Sequence, residues 1–289
     1  MPDERAPGIR LLLEVPITFA VGDEVTHAPM VEGMVNAVPT RLILDTGSTD
    51  HILTTELVAR AALHAVPGEA GTDSTGSSIP SWTVDRARVG IGPRHFALSN
   101  LVAIVGPAPF AGWGIGGFLS PQHLQAGAWA VVDLADARFA LVSGDEKGVS
   151  AWLAVRHPDL VRVRLDRAPG DATILVAGGI EPHPPVTTML DTGGKRTEFT
   201  AAAVPGLGGG QRLPSGRGVG GTESFAADAG PGVLRIGPAR VRVPSLLVRE
   251  QKGNAPGVVG MDLLRGTVLA VRGDPQAPVL WLVPASTLA

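Results

Sequence analysis

The sequence predicts a mostly β protein built from two similar halves. Glycine (38 residues) and proline (25) are abundant while aromatic residues make up 4% of the 289. That composition favours many turns and short strands over long helices. The tripeptide Asp-Thr-Gly occurs twice, at Asp45-Thr46-Gly47 and Asp191-Thr192-Gly193, each time closing an apolar run. The segments around the two copies also resemble each other at a fixed spacing. With 44% hydrophobic residues the chain can bury a substantial core.

In the first half, a strand pair over residues 30–37 and 40–44 leads into Asp45. A short helix is expected over residues 54–63, then a Gly/Ser/Thr-rich hairpin over 68–78. Strands follow at 84–91 and 96–105, then the glycine element 114–119 and a short helix at 121–126. A hairpin of strands 130–134 and 138–142 closes the half.

The second half repeats this order. At an offset of 146 residues Gly33 falls on Gly179, Pro39 on Pro185, Leu44 on Leu190 and Asp45 on Asp191. Downstream, Gly114-Ile-Gly-Gly117-Phe-Leu resembles Gly257-Val-Val-Gly260-Met-Asp, pairing Gly117 with Gly260 at an offset of 143. A glycine-rich hairpin is expected over 215–222, strands at 233–236, 239–243 and 246–248, and a closing pair at 267–271 and 279–283. The Gly, Asp, Glu and Lys cluster over 144–150 reads as the division, giving lobes 1–146 and 147–289.

If the halves face each other, the two aspartates meet on a pseudo-twofold axis. Two carboxyl groups in contact cannot both ionise easily, so they hold one proton between them. Such a pair can take a proton from water and hydrogen-bond a carbonyl oxygen, which is what amide hydrolysis needs, with no metal or cofactor. Thr46 and Thr192 offer hydroxyls across the junction, and Gly47 and Gly193 let backbone approach the carboxylates. Ser48 is expected to bond Asp45. Its counterpart Gly194 has no side chain, so Asp191 is expected to be held less firmly, or by Thr197. The glycine-rich hairpins are candidate flaps: Ser74, Thr75 and Gly76 in the first half, Gly218, Val219, Gly220 and Gly221 in the second. They would close over an extended peptide bound through its main chain. Trp82, Trp113 and Phe118 are core candidates that could also line side-chain pockets.

On these residues the chain resembles the pepsin and retropepsin class of aspartic peptidases. The resemblance rests on the two Asp-Thr-Gly turns, the glycine elements ending at Gly117 and Gly260, and the glycine-rich flaps, over residues 30–285. Gly218-Val-Gly-Gly221 is similar to retroviral-type flaps, and a pepsin-like flap tyrosine has no counterpart because the chain contains no tyrosine. The resemblance implies two β-barrel-like lobes related by pseudo-twofold symmetry, as two retropepsin-like units in one chain, and a monomer with an internal pseudo-dimer. It implies an aspartic endopeptidase with Asp45 and Asp191 as the catalytic pair. Gly194 and Gly116 depart from the family pattern. The rival reading is a weak or inactive module of the same fold that binds peptides or partners.

Other classes find less support. The formal charge of −3 provides no field for nucleic acid, and Arg86, Arg88 and Arg94 sit beside Asp85 as a solvated face. With no cysteine, thiolate chemistry and disulfides are excluded. The seven histidines lack zinc-protease spacing, no Gly-x-Ser-x-Gly element exists, and Gly193-Gly194-Lys195 lacks the first glycine of a phosphate loop. The uncharged stretch 101–119 is broken by prolines and glycines, which argues against a membrane span. Residues 1–10 are polar, unlike a signal peptide, and read as a tail, so a cytoplasmic location is favoured. A mildly acidic pH optimum is expected.

Overall fold

A computed structural model describes residues 8–21, 24–73, 75–169, 173–250 and 255–289. The expected N-terminal tail lies largely outside them. The chain is mostly β, arranged in three large sheets and one two-stranded ribbon. The uncharged stretch becomes the end of strand Arg94–Ile104, the six-residue helix Ala108–Trp113 and strand Ile115–Leu119. Among the described residues no helix is long and apolar enough to cross a membrane.

The first-half sheet runs in the order Thr18–Val21, Glu24–Val35, Val38–Leu44, Ile115–Leu119, Ile52–Thr54, Arg94–Ile104, Ser81–Ile91, Ala65–Pro67. Glu24–Val35 also pairs with Ser81–Ile91, through Gly33 opposite Ile91, so six of these strands close into a ring. The second-half sheet runs Arg212–Arg217, Glu223–Asp228, Leu247–Arg249, Glu198–Thr200, Gly257–Val259, Val186–Leu190, Leu175–Ile180, Gly232–Ile236, Ala239–Val243. It closes in the same way: Gly179 lies opposite Arg235 as Gly33 lies opposite Ile91, and the hairpin that carries Arg235 runs on through Gly232 opposite Val243 and Asp228 opposite Leu247 to the strand Leu247–Arg249.

The third sheet joins the halves. Its order is Arg10–Pro16, Arg138–Ser143, Trp129–Asp133, Val268–Val271, Val279–Pro284, Leu160–Leu165. Three strands come from each half, and the central pairing sets Val131 opposite Ala270. Alternation explains why these strands read as continuous apolar runs. Val279, Trp281 and Val283 face the main core, while Leu280 and Leu282 face a second cluster with Trp129, Val149 and Leu153.

The segment 144–150, read from sequence as the division, opens the helix Glu146–Arg156, which packs on the shared sheet. Asp145 caps it by accepting from Gly148 N at 2.7 Å. The strands Arg10–Pro16, Thr18–Val21 and Leu160–Leu165 lie outside the elements expected from the sequence. The expected helices 54–63 and 121–126 are shorter, Thr55–Arg60 and a single 3₁₀ turn at Pro121–His123. The solvated arginines near Asp85 are exposed, as expected.

Gly117 shows how tightly the aspartate strand is supported. Its φ is +153°, and a Cβ there would lie 2.0 Å from the Ile52 carbonyl oxygen. Gly117→Ala is therefore expected to destabilise the protein by about 3 kcal/mol in urea titration. A change below about 0.5 kcal/mol, the range of an uneventful surface substitution, would contradict this packing.

Candidate active site

Each aspartate ends a buried strand beside a parallel partner. Asp45 N donates to Leu119 O at 2.8 Å, and Asp191 N donates to Val259 O at 3.0 Å. The pairing register corrects the sequence alignment downstream. Gly117 lies opposite Leu42 and Gly257 lies opposite Thr188. Leu42 and Thr188 are 146 residues apart, so Gly117 corresponds to Gly257, and Ser120 stands where the second half has Gly260. The weak point of the first glycine element is thus Ser120 rather than Gly116. The connection between the two strands is six residues shorter in the second half, where an offset of 143 allows for three. Equivalent bonds follow the corrected register: Ser120 N donates to His51 Nδ1 at 3.3 Å, and Gly260 N to Thr197 Oγ1 at 3.2 Å.

The two turns interlock through their threonines, both fully buried. Thr46 Oγ1 donates to Leu190 O at 2.7 Å and accepts from Thr192 N at 3.1 Å. Thr192 Oγ1 donates to Leu44 O at 2.6 Å and accepts from Thr46 N at 3.1 Å. Each hydroxyl therefore satisfies one carbonyl and one amide of the opposite half, groups that would otherwise be buried without partners.

This exchange brings the carboxyl groups together. They hydrogen-bond each other. Each also rests against the opposite turn's glycine: a Cβ on Gly47 would lie 2.7 Å from Asp191 Oδ1, and one on Gly193 would lie 2.7 Å from Asp45 Cγ. Only glycine fits at either position.

The side-chain partners expected of the pair are engaged elsewhere. Ser48 Oγ donates to Asp50 O at 2.7 Å. Thr197 is committed to Asp262, with Oγ1–Oδ1 at 2.7 Å. Backbone amides hold both carboxylates instead: Asp191 Oδ1 accepts from Gly193 N at 2.8 Å and Gly194 N at 2.9 Å, and Asp45 Oδ1 from Gly47 N at 2.9 Å, with the Ser48 amide also favouring the Asp45 anion. A Cβ on Gly194 would fall 2.7 Å from Asp191 Oδ2, so glycine leaves room for the carboxylate.

Burial and then the charge of Asp191 raise Asp45 well above the usual carboxylate range. Burial raises Asp191 too, but the bond from Asp45 and the two amides pull it back. Burial thus raises both carboxyls, and the pair holds one proton between its two members.

His27 escaped the sequence analysis. Met30 lies opposite Ile43, so the strand Glu24–Val35 runs past the end of its partner and carries His27 to the turns. Its Nε2 is 3.1 Å from Gly193 O. Burial, the leading influence, lowers its pKa, which leaves a neutral ring donating to that carbonyl. A lone histidine 18 residues before Asp45 carries no motif that could have flagged it.

The two glycine-rich hairpins turn alike. Asp73 N donates to Ser77 O at 3.0 Å and Gly76 N to Asp73 O at 2.9 Å; Gly218 N donates to Thr222 O and Gly221 N to Gly218 O, both at 2.9 Å. Their tips touch. Gly220 N donates to Asp73 Oδ2 at 3.2 Å, and Ser77 Oγ lies 3.1 Å from Thr222 Oγ1. Asp73 is buried, and its Oδ1 also accepts from Thr75 N at 2.9 Å. Val219 and Ile79 pack on a cluster with Ile52, Ile104, Phe118 and Trp113, whereas Trp82 leans on the main core. Ser74 lies outside the described residues. Among those residues, the group with metal-ligand spacing is Asp133, Asp136 and His157 on the shared sheet, not the aspartate pair. Asp133 Oδ2 and His157 Nε2 already bond each other at 2.8 Å.

Two outcomes follow. Thr46→Val removes the partner of two buried backbone groups and should cost about 3 kcal/mol in chemical denaturation; adding Thr192→Val should cost less than the same again. Asp45 has a raised folded pKa, so the stability tied to its proton is full below the unfolded carboxylate pKa, about 4, and is lost as pH rises toward the folded value. The melting temperature of Asp45→Asn relative to wild type should therefore climb from pH 4 to pH 8. A constant difference would contradict the shared proton.

Residues 31–120 match a family model described as aspartyl protease. The matched segment holds the first Asp-Thr-Gly turn, the first glycine-rich hairpin and the supporting strand up to Ser120. No curated protein matches the chain. The match supports an aspartyl protease family, and with it a hydrolase, at the level of the family.

Proposed function

We propose that the chain is an aspartic endopeptidase that carries both halves of its active site. The observation that carries this reading is the meeting of Asp45 and Asp191, each seated against the other turn's glycine and bonded to the other. In this reading lobes 1–146 and 147–289 are related by a pseudo-twofold axis between the two threonines. The matching strand order, the equal 146-residue registers and the identical hairpin turns support it, as does the mirrored order of the shared sheet.

The chemistry assigns the carboxyls different parts. A water held between them loses a proton to ionised Asp191 and attacks the scissile carbonyl carbon. Protonated Asp45 hydrogen-bonds the carbonyl oxygen as charge develops there. Collapse of the tetrahedral species passes a proton to the leaving nitrogen and restores the starting state. The mechanism uses no metal or cofactor. The substrate is a peptide in extended form, held under the hairpins by residues 75–76 and 218–221. Because one chain supplies both aspartates, a monomer suffices. The rival reading, an inactive module, rests on Gly194; the amide bond from that residue to Asp191 shows that glycine still serves the carboxylate there.

Asp45→Asn and Asp191→Asn should each lower peptide cleavage by at least ~10³-fold, measured on a mixed peptide library. Unchanged turnover in both would sink the dyad. The pH–rate profile should be bell-shaped with a mildly acidic maximum, since activity needs one proton on the pair. A maximum above neutrality would contradict this assignment.

A further inference from the structure

The corrected register allows the two cleft-side pockets to be compared residue by residue. In the first half Ile52, Ile79, Ile104 and Phe118 form one apolar cluster under the hairpins, with Val219 from the opposite hairpin on top. Ile52 lies opposite Phe118, as Glu198 lies opposite Val258. Ile104 lies beside Thr54, as Arg249 lies beside Thr200. The matching hairpin turns set Ile79 against Ser224. Three isoleucines of the first pocket are therefore a glutamate, an arginine and a serine in the second.

These polar residues form one network. Arg249 Nη1 donates to Glu198 Oε1 at 3.1 Å. Ser215 bonds the same carboxylate, and its Oγ lies 3.0 Å from Ser224 Oγ. Arg249 is nearly fully buried, also donates to Ala255 O, and keeps an Nε with no partner among the described residues. Glu198 is the more open member, its side chain 18% exposed against 4% for Arg249. Side chains alternate along a strand, so Glu198 faces away from the core that its neighbour enters. Phe199, next along the strand, points the other way into the core.

A buried ion pair is a costly way to fill space that isoleucines fill in the other half. Its open face is a carboxylate with spare acceptor capacity, within the field of Asp191. We infer that the two pockets select unlike side chains: a large apolar one in the Ile52 pocket, and a hydrogen-bond donor, amide or basic, in the Glu198 pocket. Acidic side chains are turned away from the second by Glu198 and Asp191. An apolar side chain there would strip water from Glu198 and return no bond. The inference rests on the proposed peptidase reading for its substrate class, and it assigns that substrate a direction.

The test profiles extended peptides randomised on both sides of their centre. Two readouts are taken: cleavage by wild type, and retention by the Asp45→Asn protein. The expected profile is apolar on one side and amide or basic on the other, by about tenfold over apolar residues. Glu198→Ile combined with Arg249→Ile copies the first half and removes both charges together, which leaves neither buried alone. It should turn the second preference apolar and leave the first unchanged. Glu198→Gln alone should lose the basic preference and keep the amide one. Apolar preference on both sides in wild type overturns the inference, as does a double-variant profile equal to that of wild type. Asymmetric retention without cleavage would uphold it while refuting the hydrolysis reading, and no retention of any peptide would end both.

Discussion

The rest of the structure depends on the exchange of hydrogen bonds between Thr46 and Thr192. Two hydroxyls and four backbone groups are buried at the junction of the halves, and each finds its partner in the opposite half. A strand that ends in the protein interior leaves unpaired backbone groups, and leaving them so is expensive. Here the cost is met only when both turns are present and face each other. The same bonds fix the distance between the two strand ends, and so set the carboxyl groups of Asp45 and Asp191 in contact.

Two further features hold that geometry. The shared six-stranded sheet ties the closing strands of both halves together beneath the site, with the helix Glu146–Arg156 packed on its far side. Above, the hairpins meet tip to tip through Asp73 and Gly220. The carboxyl pair therefore sits between a rigid floor and a light roof. A roof of a few hydrogen bonds can open for a chain to enter, while the floor cannot yield without breaking a core that spans both halves.

Much of this was legible in the sequence. The repeated Asp-Thr-Gly at the end of apolar runs, and the turn residues of the hairpins, are local signals and marked their elements well. What could not be read was set by backbone and register. Gly194 looked like a missing side chain, yet its contribution is an amide that every residue except proline possesses. Ser120 hid behind Gly116 and Gly117 because a glycine-to-glycine match allowed three residues of loop difference where the register requires six. His27 and Asp73 act through partners 166 and 147 residues away, and no short window contains such pairs. The helix at 146–156 was readable from Asp145 ahead of Val149 and Leu153, but its glycines and charges resembled a linker.

The central claim is that Asp45 and Asp191 titrate as one unit that keeps a proton. Carbon-13 NMR of aspartate-labelled protein, with the two signals assigned through Asp45→Asn and Asp191→Asn, measures this directly. Two well separated steps are expected, with the pair still holding one proton well above the ordinary carboxylate range of about 4. Two independent titrations near that ordinary value would contradict it.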